Sequence, residues 1–66
     1  MDNHISNDYF RKEIKHKIMI YENDIRKLNM KLSLVTPESE EIILTIKVKI
    51  HVLKGVVKDL KRMIGD

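Results

Sequence analysis

Three histidines, His4, His16 and His51, are the side chains best suited to hold a metal or move a proton near neutral pH, and their spacing suits neither task. A chelating pair on one helix needs ligands three or four residues apart, and these three are scattered along the chain. Cysteine is absent. The hydroxyls of Ser6, Ser33, Ser39, Thr36 and Thr45 stand beside no matched base and read as caps, turn neighbours or helix surface. Two glycines, Gly55 and Gly65, are too few to build a phosphate loop. Carboxylates such as Glu22 and Asp24, or Glu38, Glu40 and Glu41, have ordinary uses as flank and helix-start charges. Catalytic groups must converge in a pocket. The sequence therefore predicts a protein with no catalytic site, no metal and no cofactor, and not an enzyme.

The cations form a different kind of candidate. Lys47, Lys49, Lys54, Lys58, Lys61 and Arg62 crowd the second half of the chain, with Arg26, Lys27 and Lys31 in the first. An elongated basic face can track phosphates by releasing counterions. Thirteen Lys and Arg against ten Asp and Glu leave only +3, however, a balance typical of a solvated surface. Single-strand binders interleave aromatics with cations as stacking platforms, and the aromatics here, Tyr9, Phe10 and Tyr21, all lie in the first half. Nucleic-acid binding through the basic second half is accordingly the alternative expectation.

Sixty-six residues allow one domain, spanning 1–66, and so short a chain buries only about 60% of its unfolded surface. Disulfides, a metal or oligomerisation usually supplement such a core, and without cysteine or a ligand cluster oligomerisation remains. No run approaches the roughly 18 apolar residues of a membrane span, and Met1-Asp2-Asn3-His4 lacks the basic and apolar stretches of a signal peptide. The expectation is a soluble cytoplasmic protein with no membrane partner. Ile and Lys occur ten times each while Ala and Gln are missing, a bias that suggests an AT-rich genome or a mobile element. Leu, Ile, Val and Phe make up a third of the chain, too apolar for disorder.

The strongest internal punctuation is Thr36-Pro37-Glu38-Ser39-Glu40-Glu41, which divides the chain into two arms. Thr36 suits a helix N-cap and Pro37 the first helical position, with three glutamates facing the positive helix start. Gly65 suits a left-handed cap after Lys61 and Arg62. Candidate caps at Asn3 and Ser6 precede the first arm. This predicts a helix over about 6–34, a turn at 35–37 and a helix over about 37–64.

Apolar spacing supplies the fold class. Ile14, Ile18, Tyr21, Ile25, Leu28, Leu32 and Val35 alternate spacings of four and three, and Ile43, Ile46, Ile50, Leu53, Val57, Leu60 and Ile64 do the same. Folding the chain back at Thr36-Pro37 sets Leu32 against Ile46, Leu28 against Ile50, Ile25 against Leu53, Tyr21 against Val57 and Ile18 against Leu60. The same register predicts Glu22 beside Lys54. The result is an all-α, coiled-coil-like antiparallel hairpin of two helices. A competing pattern alternates Ile46, Val48, Ile50 and Val52 with Lys47, Lys49 and His51, as a half-buried strand within 44–52 would. The heptad covers three times its length.

Leu44, Val48, Val52 and Val56 recur every four residues off the seam, an apolar strip that a two-helix hairpin cannot bury. Strips of this kind mark interaction surfaces. They predict a homo-oligomer, a four-helix bundle or higher helical assembly, with Met19, Met30 and Tyr9 as secondary contacts. The expected function is a small regulator, adaptor or inhibitor that presents a helical surface to another protein; a structural assembly subunit is the third possibility. In plan, the basic hairpin resembles the small RNA-binding plasmid regulators built as dimers of helical hairpins, a likeness of architecture that would imply RNA as partner. The hairpin phosphatases of sporulation carry a Ser-Gln-x-x-Asp stretch that Thr45-Ile46-Lys47-Val48-Lys49 lacks.

Overall fold

Two helices account for almost all of the chain: α1 over Asn3–Leu34 and α2 over Glu40–Met63. The computed structural model describes the backbone of residues 3–65 and the side chains of residues 8–65. The helices pack against each other as an antiparallel hairpin with principal extents of 58 × 15 × 14 Å. Residues 44–52 lie inside α2, so the strand alternative is overturned. A heptad continuous over both arms buries one seam along their whole overlap, whereas a strand here would expose half of it.

The core is that seam. Ile14, Ile18, Val57 and Ile64 form a buried cluster, with Tyr21, Ile25 and Leu60 packed against it, and Ile46 and Ile50 are buried nearer the turn. Ile14 with Ile64, Ile18 with Leu60 and Tyr21 with Val57 are the layers that the folded-back heptad requires. Six residues are buried, and no buried polar group occurs among the described residues. The chain keeps 5476 Å² of surface. A compact monomer of 7.8 kDa would expose about 4,400 Å², so the hairpin carries an excess of roughly 1,100 Å².

The turn differs from its expected form. Helix α2 starts at Glu40 with Ser39 as its N-cap residue, three positions after the start assigned to Thr36 and Pro37. Instead, the Ser39 N–H donates to the Thr36 carbonyl at 3.1 Å, closing a β-turn with Pro37 and Glu38 at its centre. Proline's fixed φ serves the second position of such a turn as well as it serves the first turn of a helix. The Ser39 carbonyl then accepts from Ile43 N–H at 3.0 Å, the first bond of α2. Glu40 and Glu41 occupy its first turn and Lys61 and Arg62 its last, each with favourable sign for the helix dipole.

At the far end Gly65 adopts φ +77° and its N–H donates to the Arg62 carbonyl at 3.2 Å, the left-handed cap expected from sequence. Helix α1 begins at Asn3, which places Ser6 inside the helix; the side chains of His4 and Ser6 lie outside the described residues. Because Ile64 ends the seam level with Ile14, α1 projects beyond α2, and the side chains from Asp8 to Glu13 are exposed.

Candidate functional site: two unlike edges

Beside an antiparallel seam the flanking heptad positions sort strictly. Turning one helix over sets e positions beside e and g beside g, so the hairpin has an e edge and a g edge. Each edge widens by one neighbouring column, b beside e and c beside g. With Ile18 and Ile50 as a-position residues, the e edge carries Lys15, Glu22, Lys47, Lys54 and Lys61, and its b column adds Lys12, Arg26 and Lys58. Seven cations thus share one side of the molecule with Glu22, while Asp8 and Glu40 stand at its ends.

The acid in this row has a defined partner. Glu22 Oε2 lies 3.2 Å from Lys61 Nζ, and both side chains are close to half exposed. The predicted neighbour, Lys54, shares a shallow groove with Glu22, Ile25, Arg26 and Val57 and makes no ion pair there. The reason is side-chain direction. Helical side chains lean towards the N-terminus of their own helix, so in an antiparallel pair Glu22 and Lys61 lean towards each other and Lys54 leans away. At this exposure the bridge is worth at most about 1 kcal/mol.

The g edge has another character. Phe10, Ile42, Val56 and Met63 at g and Ile20, Leu34 and Val52 at c give it apolar surface from both helices. All but the half-buried Val56 are exposed, Ile42 at 53% and Val52 at 56%. Its charges nearly balance, with Lys17, Lys27, Lys31 and Lys49 against Glu13, Asp24 and Asp59. Next to the turn this edge opens into a groove of about 570 Å³ lined by Leu28, Lys31, Ile42, Thr45, Ile46 and Lys49 among others. Glu41 and Leu44 complete its lining.

Family models, curated proteins and solved structures show no match to this chain. Among the described residues, no group of three or more His, Asp or Glu could hold a metal, and no helix is long and apolar enough to cross a membrane.

The sequence-derived strip is placed only partly as one surface. Leu44, Val48 and Val52 are exposed and Val56 is half buried. A spacing of four residues advances about 40° past a full turn, so the four wind from the b column across the back of α2 to the g edge. Met19, Met30 and Tyr9 are exposed on the outer side of α1, away from that strip, and Tyr9 donates its hydroxyl proton to Glu13 Oε2 at 3.2 Å. Lys47, Lys54, Lys58 and Lys61 do share the e edge, whereas Lys49 belongs to the opposite edge and Arg62 to the back of α2. Ile20, Ile42 and Met63 escaped the sequence reading because they continue no strip within one helix. Assigning e and g in both arms would have found them.

Proposed function

We propose that the chain is a small non-enzymatic protein–protein interaction module, a regulator, adaptor or inhibitor, that works as a self-associated helical hairpin. The exposed apolar g edge supports this reading. Seven apolar residues from both helices, interspersed with nearly balanced charges, lie along one side of a hairpin whose other edge is basic, and exposed apolar surface gathered on one side is the mark of an interaction surface in soluble proteins. Changing Ile42 and Val52 together to Glu leaves helicity by circular dichroism intact and lowers the mass seen by light scattering. An unchanged mass refutes the reading.

The e edge favours a second reading, nucleic-acid binding. Lys47, Lys54, Lys58 and Lys61 with Lys12, Lys15 and Arg26 place positive charge along one face of an elongated molecule, as phosphate tracking requires. It predicts affinity for RNA or DNA that falls with salt at a log–log slope of about 0.7 to 0.9 per phosphate contacted. A flat salt response removes it.

A further inference from the structure

The g edge of α2 has a symmetry of its own. Thr45, Lys49 and Val52 lie on one side of residue 54, and Val56, Asp59 and Met63 lie at the mirror positions on the other. Val52 mirrors Val56, Lys49 mirrors Asp59 and Thr45 mirrors Met63. Two copies of α2 laid antiparallel along this edge therefore set valine on valine and, on each side, a lysine on an aspartate. The same edge of α1 is symmetric about Lys27, where Ile20 mirrors Leu34 and Asp24 falls within a residue of the mirror of Lys31.

These two centres agree with the hairpin's own register. A spot on a helix surface is covered by a residue about one position C-terminal to it. Side-chain centres at 54 and 27 thus mark backbone centres near 53 and 26, and the heptad register pairs Leu53 with Ile25, one residue from that level. One two-fold axis across the hairpin satisfies both helices.

On these grounds we propose that the g edge is the contact between two copies of this chain, with α2 antiparallel on α2 and α1 antiparallel on α1 about an axis through residue 54. The inference rests on the self-association proposed above and gives it an orientation. Charge selects the edge, since two e edges would bring seven cations against seven. The Lys27 pair falls on the axis, where each flexible side chain can turn towards Asp24 of the other copy.

Lys49 and Asp59 are ten positions apart on one helix, about 15 Å, so they cannot pair within a chain. That separation makes a mixing experiment decisive. Lys49→Asp and Asp59→Lys are each prepared alone, checked for helicity, and weighed by light scattering singly and as an equimolar mixture beside the unmodified chain. Each variant alone sets like charges together twice and self-associates roughly tenfold more weakly. In the mixture both opposite-charge pairs return, and association recovers to within about threefold of the unmodified chain. A mixture no better than the single variants overturns this arrangement and leaves self-association standing. An unmodified chain that stays monomeric overturns both.

Discussion

The guanidinium of Arg11 donates a hydrogen bond of 2.6 Å to the carbonyl oxygen of Ile64, across the hairpin from α1 to the end of α2. Arg11 occupies the seam position one step before Ile14, where α2 has already ended. An apolar side chain there would have no partner. An arginine reaches back to a carbonyl that the finished helix leaves free and sits at the negative end of its dipole.

Replacing Arg11 by Met keeps much of the side chain's length but removes the donor and the charge. The expected loss is about 1 to 2 kcal/mol, read as a lower urea midpoint or a Tm reduced by roughly 4 to 15 °C. Arg11→Lys recovers part of it. Stability equal to that of the unmodified chain would show that the contact contributes nothing.

Ile18 and Ile50 are buried in opposite halves of the seam, and with six buried residues the hairpin has little core to spare. Ile→Val at either site lowers stability by about 1 kcal/mol and Ile→Ala by about 2 to 4 kcal/mol. Thermal melts followed at 222 nm check both. The Ala variants approach the whole stability expected of so small a domain.

Gly55 stands in the middle of α2 and is exposed, and a Cβ added to it meets nothing within 4 Å. Nothing in the hairpin requires glycine here, and glycine is a poor helix residue. Gly55→Ala therefore raises the stability of the dilute hairpin by about 0.5 to 1 kcal/mol. Gly65, at φ +77°, behaves oppositely, and Gly65→Ala destabilises the α2 cap. Denaturant melts of the two variants should move in opposite directions.

The Glu22–Lys61 bridge is exposed, so Lys61→Met costs less than about 1 kcal/mol and the difference shrinks in 1 M salt. Lys54→Met leaves the Glu22 carboxylate paired. A double-mutant cycle measures coupling of Glu22 to Lys61 and none to Lys54.

The seam was legible in the sequence because burial enforces a repeat of four and three, and a side chain on the wrong face has nowhere to go. The Gly65 cap was legible for a similar reason, since few residues tolerate that backbone. The turn was not, because Thr36-Pro37 satisfies the chemistry of a helix start and of a β-turn equally well. Glu22 was assigned to Lys54 because residue numbers give height along the seam and omit side-chain lean. The candidate edge was seen only in part. Leu44, Val48, Val52 and Val56 follow a repeat within one helix, whereas Ile20, Ile42 and Met63 form a surface only once the second helix lies beside the first.

The self-association proposed above is read most simply from sedimentation equilibrium of the unmodified chain between micromolar and millimolar concentration. A hairpin that pairs with a second copy has a mass that rises from the 7.8 kDa of one chain towards twice that value. A mass that stays at 7.8 kDa throughout the range would contradict it.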